Sequence, residues 1–212
     1  VNLFDRRTRL LAAGCSALAG FVDATGFLYL GGFFVSFMSG NSTRLAVGLA
    51  ARSHDAAVAG ALIACFVVGV FVGSLAGSAA GRQRRWVVLL LVAVLLATGA
   101  AFGAAGYGVV TAAAMALAMG AENAIFERNG EVVGLTYMTG TLVKIGQRLA
   151  SAVQGGPRFG WTPYVGLWAG LLGGAVLGAA SYPLLGTGNL WAGSVVAVGL
   201  GAAARRIGDG RA

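Results

Sequence analysis

Charge is what this sequence has least of: 10% of its 212 residues are Asp, Glu, Lys or Arg, against about 25% in an ordinary soluble domain. With 58% of residues apolar, the chain has too little polar surface to be a soluble globule. Its mean hydropathy of +0.81 excludes disorder, whose signature is polar and charged. Two cysteines are too few for a disulfide-stapled module. Cys15 and Cys65 each stand in an apolar run, where a thiol acts as a small buried hydrophobe. The one histidine, His54, sits in a short polar connection with Arg52, Ser53 and Asp55. There is no His/Cys/carboxylate cluster with metal spacing, no Walker loop and no nucleophile elbow. Neither a metal, a cofactor nor an enzymatic activity is expected.

What is present is arginine. Of the 15 basic residues 14 are arginines, giving a net charge of +8. They are scattered between long apolar runs, which is the pattern of topology anchors at lipid headgroups and not of a nucleic-acid surface. Arg6, Arg7 and Arg9 before Leu10 have the charge order of a signal peptide. The apolar run that follows, however, does not stop at a cleavage box but continues to Leu30, so a first membrane helix is expected.

Eight apolar segments follow one another: 10–30, 33–51, 56–81, 86–105, 109–126, 132–153, 161–182 and 189–204. A crossing helix needs about 20 such residues. The second segment reaches Arg44 and the sixth Lys144 after runs that cover only about 17 Å as helix. Each contains a small polar run, Ser39-Gly40-Asn41-Ser42-Thr43 in one and Thr139-Gly140-Thr141 in the other. Both are expected to be broken or re-entrant, leaving six spans. With both termini inside, six spans bring Arg82, Arg84, Arg85, Arg128, Lys144, Arg148, Arg158 and the C-terminal Arg205, Arg206 and Arg211 to the cytoplasmic face, as the positive-inside rule requires. Arg44 and Arg52 are left on the outer half. Eight full spans would place Arg82, Arg84 and Arg85 outside.

The sequence also repeats itself. A shift of 100 positions pairs Gly20 with Gly120, Asp23 with Asn123, Ser36 with Thr136, Met38 with Met138, Gly40 with Gly140 and Arg44 with Lys144. Glycines recur every four residues at 69, 73, 77 and 81, and again at 166, 170, 174 and 178, a shift of 97. Such glycines make flat faces for close helix packing. The expected fold is an all-α integral membrane protein forming a single domain of two inverted repeats, 10–106 and 109–204, each with three spans and one broken helix. The alternative is eight spans and parallel repeats.

Inverted repeats with discontinuous helices are a transporter architecture, with the solute bound near the midplane. Ser39, Gly40, Asn41, Ser42 and Thr43 are expected to offer amide hydrogens where one helix restarts, and Thr139, Gly140 and Thr141 where the other does. With Arg44 and Lys144 they form an expected anion site. Asp23, Glu122 and Asn123 are expected to balance those charges, by pairing Asp23 with Arg44 and Glu122 with Lys144, or to carry a proton.

These residues resemble the YoaK-like family of small bacterial membrane proteins. The resemblance is carried by Gly20-Phe21-Val22-Asp23-Ala24 with Ser39-Gly40-Asn41, and by 120–124 with Thr139-Gly140-Thr141. It implies a multi-pass protein of the bacterial inner membrane. The expected function is a secondary transporter or channel for a small polar, anionic solute, with membrane lipid and a second copy of the chain as further partners. Two rivals are a structural or assembly protein that uses its Gly-rich faces, and a lipid-directed enzyme built on Asp23 and Ser39.

Overall fold

The computed structural model describes residues 6–128, 131–132 and 136–207, with the backbone alone for 127, 128, 131 and 132. The expected segment 132–153 is therefore described mainly from Thr136 onward, and Arg211 lies outside the described residues. Eight helices follow in order: α1 Arg6–Tyr29, α2 Met38–Ala51, α3 Asp55–Ala80, α4 Arg84–Ala104, α5 Gly108–Glu122, α6 Met138–Val153, α7 Thr162–Leu185 and α8 Asn189–Ile207. A two-residue antiparallel pairing, Glu127–Arg128 with Glu131–Val132, lies between α5 and α6.

Among the described residues three helical stretches are long and apolar enough to cross a bilayer: Arg6–Tyr29, Asp55–Ala104 and Thr162–Ile207. The second and third each contain a fold. The chain breaks at Gly81 (φ +52°) and at Gly186 (φ +54°), a backbone region that only glycine enters freely, and a 3₁₀ turn follows each. The result is two helix pairs, α3–α4 and α7–α8.

Contacts fix the helix directions. A Cβ on Gly170, Gly174 or Gly178 of α7 would meet the carbonyls of Ala13, Ala17 or Phe21 in turn, so α1 and α7 run parallel. Gly69 and Gly73 meet Leu117 and Ala121 in the same way, making α3 and α5 parallel. The pair α4 and α5 is antiparallel, since Arg84 Nε donates to the Ala124 carbonyl (2.9 Å) and Thr111 Oγ1 to that of Gly99 (3.3 Å). Ser194 Oγ donates to the Ala93 carbonyl (2.8 Å), while Gly201 packs on Trp86 and Gly103 on Thr187, so α4 opposes α8. Asn189 Nδ2 donates to Thr25 Oγ1 (3.1 Å) and Gly14 packs on Leu200, so α8 opposes α1. Thus α1, α4 and α7 run one way, and α3, α5 and α8 run the other.

The end of α1 and the start of α3 lie on one side, and α2 joins them. By the same reasoning α6 joins α5 to α7 on the opposite side.

The glycine register differs from the expected one. Gly69 meets Leu117 where Gly174 meets Ala17, and Gly73 meets Ala121 where Gly178 meets Phe21. The α3 and α7 equivalents therefore stand 105 positions apart, not 97. A four-residue period cannot determine its own phase, and the true shift is two periods away. The folds at Gly81 and Gly186 keep the same spacing, as do Trp86 and Trp191.

The core is a cluster of fully or nearly buried residues around Leu18, Val22, Val92, Leu96, Met115, Met119 and Leu190, drawn from α1, α4, α5 and α8. Val67, Phe71 and Leu75 of α3 and Val176 and Leu177 of α7 are exposed. Apolar side chains on an outer surface are what lipid contact requires.

Candidate functional site

The interruptions lie upstream of where the polar runs suggested. After α1 the chain turns at Gly31 (φ +64°) and Gly32 (φ +104°) and comes back beside the helix it has left. Asp23 Oδ1 accepts the amides of Val35 (2.9 Å) and Ser36 (2.7 Å), and Gly26 packs on the Val35 side chain. Buried Asn41 clamps this strand by accepting the Phe34 amide (3.1 Å) and donating to the Phe34 carbonyl (2.7 Å). Helix α2 then starts at Met38, so Ser39, Gly40 and Asn41 form its first turn, and Ser42, Thr43 and Arg44 lie in continuous helix.

The second half closes a corresponding contact with weaker chemistry. Asn123 Oδ1 accepts the hydroxyl of Thr136 (3.2 Å), and Asn123 Nδ2 donates to the Met119 carbonyl of its own helix (2.9 Å). Tyr137 (φ −81°, ψ 67°) precedes α6 as Phe37 (φ −89°, ψ 74°) precedes α2. Thr139 is exposed, Gly140 is half-buried beneath the Tyr137 ring, and Thr141 is buried with its hydroxyl bonded to the Tyr137 carbonyl (3.2 Å).

Several expected ligands are already engaged within the protein. Asn41 is used by Phe34, while Ser42 and Thr43 donate to the Met38 (2.8 Å) and Ser39 (3.3 Å) carbonyls of their own helix. Short hydroxyl side chains in apolar helices favour this back-bonding. Ser39 is exposed, and Gly40 lies against the Phe34 and Phe37 rings. Arg44 covers the Gly32 turn with its guanidinium 4.7 Å from the Phe33 ring centre, and exposed Lys144 lies 5.7 Å from the Tyr164 ring. The expected pairs do not form: Asp23 serves backbone amides, and Glu122, fully buried, has no hydrogen-bond partner on either oxygen.

The two restart sites do not converge. The thiol of Cys15 is within electrostatic reach of Glu122, whose neighbour Asn123 fastens the second interruption. Asp23, which fastens the first, is eight residues further along α1, about 12 Å at the helical rise. The side chains between these levels, among them Leu18, Ala19 and Val22 on α1 and Met115, Ala118 and Met119 on α5, pack as one buried cluster. From these two levels α2 and α6 lead toward opposite ends of the bundle.

Four further polar side chains lie outside the expected site. Asn189 Nδ2 joins Thr25 Oγ1 (3.1 Å) to the Gly178 carbonyl (3.0 Å), tying α1, α7 and α8 together. Ser16 Oγ donates to the Leu167 carbonyl (3.0 Å). Arg84 and Arg85, expected in a loop at the lipid headgroups, open α4, and the Arg85 guanidinium lies 5.3 Å from the Phe126 ring centre. Only a register of 105 would have aligned Arg84 and Arg85 with Asn189 and Leu190 and marked them as helix residues.

The comparisons with known proteins agree that the chain is a membrane protein. Residues 11–203 match the family described as "Protein of unknown function (DUF1275)". A UPF0700 transmembrane protein of Rhizobium meliloti (strain 1021) is 39% identical over 198 residues, covering 93% of this chain and 86% of that protein. No solved structure matches. The YoaK-like resemblance read from the sequence leads to this same group, and the chain belongs to the DUF1275 family of membrane proteins.

Proposed function

We propose that this protein is a secondary transporter or channel for a small polar, anionic solute. It is built from two inverted repeats in a bacterial cytoplasmic membrane, with both termini on the cytoplasmic side. The observation that carries this reading is the doubling-back beside Asp23 and Asn123. Equivalent helices (α1 and α5, α3 and α7, α4 and α8) run in opposite directions, which supports an inverted-repeat reading. Backbone at membrane depth that is not helical persists where it is buried in protein or lines a wet cavity, and in transporters such breaks mark the solute route.

The site differs from a single midplane chamber. Two half-sites lie in sequence along the path: Ser39, Gly40, Ser42, Thr43 and Arg44 on one side, Thr139, Gly140, Thr141 and Lys144 on the other. Each offers the positive end of a helix and a cation to an anion. Asn41 shapes the first half-site by holding Phe34. The buried layer around Val22 and Met119 is the barrier between them, and passage requires it to part.

A second reading, a structural or assembly protein, is favoured by one observation, the dry packing of that layer. Flux in proteoliposomes with a panel of small inorganic and carboxylate anions separates the two. The transport reading expects selective movement of at least one anion, reduced tenfold or more in Arg44→Gln or Lys144→Gln (about 1.4 kcal/mol or more in the barrier). No movement of any anion by folded protein contradicts it.

A further inference from the structure

The two-fold register exposes one place where the halves differ in chemistry. At one level of the bundle Met115, Leu190 and Val22 are fully buried in a single apolar cluster. Their equivalents, at shifts of 100 positions for α1 and α5 and 105 for α4 and α8, are Cys15, Arg85 and Glu122. Packing alone is therefore satisfied by three apolar residues in one copy, while the other copy carries a thiol, a guanidinium and a carboxyl.

Glu122 is 0% exposed and neither carboxyl oxygen has a hydrogen bond. An ionised carboxylate left so would bear a desolvation cost of several kcal/mol, and an ionisable residue inside a membrane bundle persists where it functions. The groups facing it can be named for every helix that packs on α5. Helix α1 brings Cys15, within electrostatic reach of both Glu122 and Arg85. Helix α4 brings Arg85 and also Arg84, whose Nε is bonded to the Ala124 carbonyl. The stretch 66–77 of α3 brings no titratable side chain.

We infer that Glu122 is a proton-binding site with Arg85 as its alternate counter-charge. In the closed packing the carboxyl holds its proton. When the packing around Glu122 opens to water, the O–H bond breaks, the proton passes to a water molecule, and the carboxylate is balanced by the Arg85 guanidinium. No electron transfer or further reactant is involved. The inference deepens the transport reading by naming the proton as the coupled ion, and it rests on that reading only for what the proton drives.

Infrared difference spectra of the purified protein in H₂O and D₂O test the site without any solute. The expected result at neutral pH is a protonated-carboxyl C=O band that is absent in Glu122→Gln and in Glu122→Val, the residue of the other copy. In Arg85→Leu the band should persist to a proton concentration about tenfold lower, since an opposite charge nearby favours ionisation. A spectrum unchanged by both Glu122 substitutions overturns the inference. So does loss of the fold in Glu122→Gln, because a neutral acid tolerates its near-isosteric amide. Failure of anion flux would leave the band in place, so the two readings fail separately.

Discussion

The Asp23 carboxylate accepts the backbone amide of Ser36 at 2.7 Å, thirteen residues further along the chain, and fastens the returning strand to the helix it has just left. A second amide, that of Val35, shares the same oxygen at 2.9 Å. One side chain thus satisfies two main-chain donors that lipid cannot. In the other half Asn123 holds Thr136 by one side-chain bond, to a hydroxyl and not to a main-chain amide.

Asp23→Ala leaves two amides without an acceptor and is expected to destabilise the protein by about 2–6 kcal/mol, given about 1–3 kcal/mol for each buried group left unsatisfied. Asp23→Asn keeps an oxygen in place, as Asn123 does, and should cost about half as much. Thermal unfolding in detergent, followed by tryptophan fluorescence, measures both. Equal effects would mean that the acceptor is not what matters.

Neighbouring glycines in α7 should respond oppositely. A Cβ at Gly174 would run into the Ala17 carbonyl of α1, whereas Gly173 faces open space. Gly174→Ala is expected to cost about 1–3 kcal/mol through overpacking. Gly173→Ala should be neutral or stabilising by up to about 1 kcal/mol from helix propensity. The same unfolding assay decides, and a destabilised Gly173→Ala would place the helix face wrongly.

Asn189 holds α8 to α1 and α7 through Thr25 and the Gly178 carbonyl. Asn189→Ala should cost about 1–3 kcal/mol. Combined with Thr25→Val, the losses should fall short of additive by about 0.5 kcal/mol or more, as expected of residues in one hydrogen-bond network. Strict additivity in the double-mutant cycle would remove the pair.

Ser42 and Thr43 are exposed and bond back to their own helix. Their alanine variants should change stability by less than about 0.5 kcal/mol. Any change in anion flux or in anion-dependent thermal shift can then be assigned to solute contact.

Much of the architecture was legible in the sequence because polar residues in an apolar chain are rare and their repetition stands out. The shift of 100 positions joins Asp23 to Asn123 and Ser36 to Thr136, and each half closes the corresponding contact. The position of the breaks was not legible. Ser39 to Thr43 looks like an interruption by composition, but its hydroxyls are absorbed by the helix. The turn is made at Gly31 and Gly32, where the deciding partner, Asp23, belongs to another element. The glycine period hid its own phase, and with it the equivalence of Arg85 and Leu190. Convergence of the two polar runs failed for a simpler reason. Asp23 and Asn123 anchor them at separate levels of the bundle.

The central claim is that α2 and α6 return to the side they came from. It is tested most directly by two single cysteines at exposed ends of these helices, His54→Cys and Gln154→Cys, in a background with Cys15 and Cys65 replaced by alanine. Labelling intact cells and inverted vesicles with a membrane-impermeant thiol reagent reads the side of each. The account predicts opposite sides, residue 54 outside and residue 154 inside; labelling of both from the same side means that α2 and α6 cross, and contradicts it.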